Sequence, residues 1–84
     1  MPEYWSRKLS YPVVPRSGPL RPTRTLGEAR KTLTDRLPAD VTARSSWTRA
    51  MTLLGVAGAS GRRTDIREAT DQMMRALERE GWLR

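Results

Sequence analysis

The chain has 84 residues, which is enough for one small domain. It contains no cysteine and no histidine, which excludes disulfide bonds, thiolate zinc sites and histidine-based acid–base catalysis. No apolar run approaches the roughly 18 residues that a membrane-spanning helix needs. The N-terminus also lacks the charged and then apolar pattern of a secretory signal. We therefore expect a cytoplasmic protein that makes a single domain over residues 1–84.

The charge is strongly positive and unevenly distributed. Sixteen basic residues against nine acidic residues give a net charge of +7. The excess lies in residues 1–25 and in residues 41–63, and the second segment holds four arginines and no acid. Such an excess attracts polyanions without identifying one.

Residues 1–25 contain five of the six prolines, and proline is tolerated at strand edges and in turns but not inside helices. β-Branched residues follow Pro12, and residues 17–19 are a turn signal. The pattern predicts a β-hairpin that pairs roughly residues 10–16 with 20–25; the alternative is an irregular extended arm. Because a lone hairpin is marginally stable, we expect it to pack on the helices or to pair through its open edge with another chain.

A first helix is predicted over residues 26–37. Thr25 and Glu28 have the spacing of a capping box, and Pro38 ends the helix. The apolar stripe at helical spacing consists of Leu26, Ala29, Leu33 and Leu37.

The central helix is predicted over residues 40–58, with Asp40 as its N-cap. Its apolar face consists of Trp47, Ala50, Met51, Leu54, Ala57 and Gly58. Gly55 and Gly58 each weaken a helix by about 1 kcal/mol relative to alanine. Their presence indicates close approach of a neighbouring backbone or an early helix end.

The third helix is predicted over residues 65–80, starting near Thr64 or Asp65. Gly81 is expected to end it, with Trp82 folding back on the cap. The buried stripe consists of Ile66, Ala69, Thr70, Met73 and Leu77. The exposed face is expected to carry Arg67, Glu68, Asp71, Gln72, Arg75, Glu78 and Arg79.

Together these elements predict an α+β fold in which an N-terminal two-stranded β-hairpin, or an extended arm, packs on a three-helix cluster. Trp47 is expected to anchor the core. Trp5 and Trp82 either seal the core or stay partly exposed for a partner, and sealing is the favoured interpretation.

No catalytic, cofactor-binding or metal-binding residues are predicted, and no cofactor is expected. The glycine-rich segment 55–62 lacks the Gly-Lys-Ser/Thr ending of a phosphate loop and follows a helix, so it is interpreted as a helix end and a turn. Asp65, Glu68 and Asp71 complement the dipole at the start of the third helix, where a metal site is the weaker interpretation. Without a nucleophile and base in a recognisable arrangement, we expect that the protein is not an enzyme.

Four arginines are candidates for contact with a polyanion: Arg44, Arg49, Arg62 and Arg63. They could form one basic patch at the ends of the central helix that contacts nucleic-acid phosphates. The alternative is a solvated basic surface in a chain that has 14 arginines and two lysines.

Several short motifs occur in an order typical of a known family: Pro12-Val13-Val14, Arg24-Thr25-Leu26-Gly27-Glu28-Ala29, Leu37-Pro38, Trp47-x-x-Ala50, Leu54-Gly55, Glu68-Ala69 and Ala76-Leu77. From about Tyr11 to Leu83 the chain resembles domain-of-unknown-function family 982, a family of short alphaproteobacterial proteins common in rhizobia. The resemblance implies a strand hairpin followed by three helices in a cytoplasmic protein. The family has no established activity, so the resemblance implies none for this chain.

The first functional hypothesis is a small non-enzymatic interaction or regulatory module that binds itself, as a homodimer, or an unknown protein partner. It depends on the thin core, the open hairpin edge and the absence of a catalytic constellation. The second is a nucleic-acid-binding protein without sequence specificity that uses the arginines of residues 7–24 and 44–63. Neither hypothesis involves a membrane.

Overall fold

A computed structural model describes residues 3–84, in which a short β-hairpin precedes four helices. In chain order the elements are β1 (Lys8–Val13), β2 (Thr23–Thr25), α1 (Leu26–Arg36), α2 (Ala39–Thr42), α3 (Ser45–Ser60) and α4 (Arg63–Glu80). The predicted α+β class, with an N-terminal hairpin packed on helices, is confirmed.

The hairpin is antiparallel, with Lys8 opposite Thr25 and Val13 opposite Thr23. Since β1 places more residues than β2 between these two pairs, the ladder is irregular in the manner of a β-bulge. The predicted bounds 10–16 and 20–25 were wrong, because β1 begins and ends earlier and β2 is only three residues long.

The connection between the strands docks on the C-terminus instead of extending the ladder. Arg16 and Ser17 donate their backbone N–H groups to the carbonyl oxygen of Trp82, at 2.8 and 3.2 Å. Prolines recur along this connection and have no N–H group for a ladder, which explains why the strands stop where they do.

Helix α4 holds β1 and occupies part of its edge. Ser10 donates its backbone N–H to Thr70 Oγ1 at 3.3 Å, and the Thr70 hydroxyl donates to the carbonyl of Ile66 at 2.7 Å. Pro12 lies in the same strand and has no N–H group to offer. Two of the six β1 residues therefore cannot donate to a further strand, so the edge that was expected to be open is occupied in part.

The start of α1 confirms the predicted capping box. Glu28 donates its backbone N–H to Thr25 Oγ1 at 3.1 Å, while its carboxylate accepts the N–H of Thr25 at 3.2 Å. The same carboxylate accepts the N–H of Arg24 at 2.8 Å. The helix ends at Arg36, one residue before the predicted end, because Leu37 precedes a proline and is extended.

The prediction of one helix over residues 40–58 was wrong. Two helices occupy this region, and the chain is extended at Arg44, between the one-turn helix α2 and the long helix α3. Asp40 is not an N-cap, since Pro38 occupies the cap position of α2.

The break lets two side chains that a continuous helix would separate reach the same core. In an unbroken helix Val41 and Trp47 would point about 120° apart. In the structure both are buried, and Trp47 is fully inaccessible to solvent. The extended backbone at Arg44 makes this possible, and its side chain has a partner on α4, described below.

The turn between α3 and α4 is shorter than predicted. Helix α3 continues to Ser60 and ends at Gly61, whose φ of 65° is left-handed, and α4 begins directly at Arg63. Asp65 lies in the first turn of α4 but is not its cap; its carboxylate accepts the Ser60 hydroxyl at 2.5 Å, which joins the two helix ends.

The end of α4 confirms the predicted glycine cap. Gly81 is left-handed with a φ of 78°, and the next residue, Trp82, donates its backbone N–H to Leu77 at 3.0 Å. The Trp82 ring then packs against Trp47, with 5.8 Å between the ring centroids.

The three predicted apolar stripes meet in one core. Its largest fully buried side chains are Trp47, Leu26, Leu33, Leu54, Met73, Leu77, Val13 and Thr70. Trp5 and Trp82 are half-buried and pack against this core, in agreement with the sealing interpretation. Gln72 was expected on the exposed face, but it is buried and donates its amide N–H to the Ser46 carbonyl at 3.0 Å.

Gly58 is required by the packing of the N-terminal segment, which yields a stability prediction. A Cβ at Gly58 would lie 2.4 to 2.6 Å from carbons of the Trp5 ring, whereas a Cβ at Gly55 would meet no group of residues 3–84 within 4 Å. We expect Gly58→Ala to lower the free energy of unfolding by about 1–3 kcal/mol through overpacking. The matched variant Gly55→Ala in the same helix should raise it by about 0.5–1 kcal/mol. Urea denaturation of both variants would check this, and equal effects would contradict it.

Tyr11 yields a prediction for alkaline pH. Its hydroxyl donates to Asp71 at 2.6 Å, and burial together with this bond raises the pKa of Tyr11 to about 12 from 10.0. Between these two values the unfolded chain has lost a proton that the folded chain keeps, so stability falls as the pH rises; below pH 10 the contribution is fully present. Thermal unfolding from about pH 9 to about pH 12 should therefore show a steeper decline for the wild type than for Tyr11→Phe. Parallel declines would contradict this assignment.

Candidate functional site

Arg44, the first of the four predicted polyanion contacts, has a partner inside the protein. Its Nη1 donates to both carboxylate oxygens of Glu80, at 2.6 and 2.8 Å. One of these oxygens also accepts the indole N–H of Trp47 at 3.2 Å. The Glu80 side chain is only 9 % exposed, so the guanidinium of Arg44 compensates a carboxylate that is largely removed from water.

Arg49 lies in an open groove between the start of α3 and the end of α4. The groove also contains Arg75 and Arg79, together with the acidic residue Glu78, and its volume is about 1020 Å³. Its charge is therefore mixed, and an anion entering it would meet a carboxylate as well as guanidinium groups.

Arg62 and Arg63 lie at the opposite end of α3, which is about 24 Å long. The structure therefore places the four predicted arginines as two pairs and not as one patch. Arg63 is joined in a smaller groove by basic side chains from the start of β1, from the residue before it and from α4. We call its four cationic lining residues the basic cluster: Arg7, Lys8, Arg63 and Arg67.

Sequence reasoning assigned Arg7 and Lys8 to the general excess of residues 1–25 and did not single out Arg67. Arg67 belongs to a C-terminal segment in which acids outnumber arginines, so local charge gave no signal. These residues meet because β1 packs on α4, a tertiary contact that charge patterning along the chain does not reveal.

A second surface has the opposite character, because it carries no charge. From Ala50 to Gly61 the sequence has no acidic or basic residue. One side of this part of α3 packs on the core, and the other is exposed to solvent. We call the exposed side the α3 outer face; it consists of Thr52, Gly55, Val56 and Ala59. Val56 is 45 % exposed and is one of two large hydrophobic residues exposed in residues 3–84.

Two of the three acidic side chains predicted to group in the first half of α4, Asp65 and Asp71, are bonded to other residues of the protein. Asp65 accepts the Ser60 hydroxyl, while Asp71 accepts the Tyr11 hydroxyl and lies 3.8 Å from Arg67 Nε. Within residues 3–84, no three acidic side chains are grouped as a metal site would need. Over the same residues, no helix combines the length and the apolar character that crossing a membrane requires.

Comparisons with protein-family models, with curated proteins and with solved structures find no match for this chain. The resemblance to domain-of-unknown-function family 982 therefore stays a prediction. Functional inference depends on the two surfaces, the basic cluster and the α3 outer face.

The bond from Trp47 to Glu80 yields a prediction that separates structural from ligand-binding roles. We expect Glu80→Ala to lower the free energy of unfolding by about 1–3 kcal/mol, because a buried indole N–H loses its acceptor. Glu80→Gln keeps an acceptor oxygen and should be less destabilising. Chemical denaturation of both variants and of Arg44→Ala would measure these effects. If all three variants are as stable as the wild type, Arg44 does not have the structural role assigned to it.

Proposed function

We propose that this chain is a small non-enzymatic interaction module of the cytoplasm and that it self-associates through the α3 outer face. The observation that carries the proposal is Gly55, a glycine in the middle of a helix whose presence the monomer does not explain. The second copy of the chain is the partner to which we commit.

Each of the other five glycines either has a positive φ or faces a neighbouring group at short distance. Gly55 has neither property: it is helical and exposed, and among residues 3–84 no neighbouring group lies within 4 Å of the position that a Cβ would occupy. A glycine there weakens α3 by about 1 kcal/mol relative to alanine. The absence of a side chain at Gly55 would let the backbone of a second helix approach closely, which would give this glycine a role.

The distribution of charge also favours self-association through the α3 outer face. A chain with a net charge of +7 repels its own copies, so two copies can meet most favourably where neither presents a charged group. The α3 outer face meets that condition. Val56 adds apolar area that contact would remove from water.

The geometry of a two-fold pair suits this face. In a two-fold interface the same patch contacts itself, so a short row of small residues crosses its symmetry mate with Gly55 near the crossing point. The pair requires no free strand edge, which agrees with the bond from Ser10 to Thr70 that occupies part of the β1 edge.

The size of the face bounds the affinity. It is about 12 Å long and about 10 Å wide, whereas each partner of a stable complex contributes about 800 Å² of accessible surface. We therefore expect a weak, concentration-dependent dimer with a Kd in the micromolar range or above.

Sedimentation equilibrium over a range of protein concentrations tests the proposal. The apparent mass of the wild type should rise toward twice the monomer mass as concentration increases. Gly55→Ala should weaken association by roughly tenfold while making the monomer more stable, because the new methyl group separates the two backbones. A general loss of folding cannot produce that combination.

Val56→Lys and Val14→Lys form a matched pair. Both valines are exposed, both variants have the same net charge, and only Val56 belongs to the α3 outer face. We expect Val56→Lys to abolish association and Val14→Lys to leave most of it. A wild type that stays monomeric at millimolar concentration, or equal effects of the two lysines, would refute self-association through this face.

A further inference from the structure

The basic cluster lines a groove that has no acidic lining residue. The groove is also lined by Leu9, Ile66 and the exposed Ser10; Leu9 and Ile66 form its floor, and its volume is about 450 Å³. Leu9 and Ile66 are each only 6 % exposed, so the floor is well packed, while the cationic side chains extend into solvent. Like charges gathered in a concave surface focus a positive potential there.

The cations of this groove are largely unused by the fold. In the part of the chain that the structure describes, ion pairs join Arg44 to Glu80 and Arg67 to Asp71, the latter at 3.8 Å. Arg7, Lys8 and Arg63 have no ion-pair partner in residues 3–84. The guanidinium of Arg7 lies over the Tyr4 ring, 5.2 Å from its centroid, which positions the group while leaving its N–H edges available.

Arg62 and Arg63 are also placed against the electrostatic preference of their helix. They are the N-cap and first residue of α4, where the helix dipole is positive and favours acidic residues. Arg62, which occupies the cap position, makes no side-chain cap bond. An external anion would turn this local repulsion into attraction.

We propose that the basic cluster binds the phosphodiester backbone of a nucleic acid without reading its sequence. Three of the four cations are arginines, whose planar forks match phosphate oxygens. Anionic membrane surfaces are less suited, because the exposed large hydrophobic residues, Val14 and Val56, do not line this groove and could not insert beside it. The site differs from the α3 outer face, so it does not depend on self-association.

Fluorescence anisotropy with a labelled DNA duplex and a labelled single strand tests this site. Binding should follow the logarithm of salt concentration with a slope of about −0.9 per contacted phosphate on duplex and about −0.7 on single strand. Four contacts on duplex would reduce the affinity by about 10²-fold between 50 and 200 mM salt. Work at protein concentrations below the self-association range removes any contribution of avidity.

The decisive comparison uses two double variants of equal net charge. Lys8→Gln with Arg63→Gln removes two cluster cations that form no ion pair with any residue of 3–84. Arg49→Gln with Arg79→Gln removes two cations of the mixed-charge groove at the other end of the molecule. We expect the first variant to lose affinity at least tenfold and to reduce the salt slope by about 2, while the second keeps the slope of the wild type. Circular dichroism would establish that both are folded.

Three outcomes would overturn the proposal. One is the absence of binding to either DNA form at low salt. Another is an equal loss for the two double variants, which would show that net charge alone attracts the nucleic acid. The third is binding to vesicles rich in phosphatidylserine that is tighter than binding to both DNA probes, which would assign the groove to a lipid surface.

Discussion

A fully buried tryptophan whose indole N–H must find an acceptor constrains most of this small fold. Trp47 obtains that acceptor from Glu80, and the largely buried carboxylate obtains its counter-charge from Arg44. The three residues belong to the start of α3 and the end of α4, so the bond fixes how the two antiparallel helices align. Arg44 itself is extended at the break before α3, and this conformation places its guanidinium beside Glu80. The need for that ion pair explains why α2 and α3 are not one helix.

The termini complete the core by packing aromatic rings on glycines. Trp5 lies on Gly58, Tyr4 lies on Gly61, and Trp82 lies on Gly18. In a chain of 84 residues these contacts matter, because a small core leaves much of its apolar surface uncovered. They also give a standard by which Gly55 can be judged. The other glycines have a structural reason, whereas no part of the described chain packs against Gly55.

The features that the sequence predicted are those decided by neighbouring residues. The capping box of Thr25 and Glu28, the left-handed Gly81 and the apolar stripes depend on spacings of three to seven residues, and all are present. The hairpin was predicted, but its bounds depend on where its connection docks, which is at Trp82 far along the chain.

The errors share a tertiary cause. The break before α3 exists because contacts with Glu80 and with the core outweigh the local propensity to continue the helix. Gln72 is buried because the backbone carbonyl of Ser46, at the start of α3, accepts its amide N–H. The basic cluster likewise combines residues about 55 positions apart in the chain. Asp40 illustrates the limit of local reasoning, since a good capping residue is not used when Pro38 already begins the helix.

The two proposed surfaces are compatible because of where the charge lies. If two copies cross antiparallel near Gly55, their basic clusters lie at opposite ends of the helix pair, roughly 20 Å or more apart. The Debye length at physiological salt is about 8 Å, so the clusters of the two copies scarcely repel each other. Salt should then act in opposite directions on the two surfaces. It screens the clusters from a phosphate backbone, and it reduces the remaining repulsion between two copies that meet through uncharged faces. A single chain with a large positive charge can therefore have both an electrostatic surface and a self-associating surface, because α3 keeps them on separate parts of the molecule.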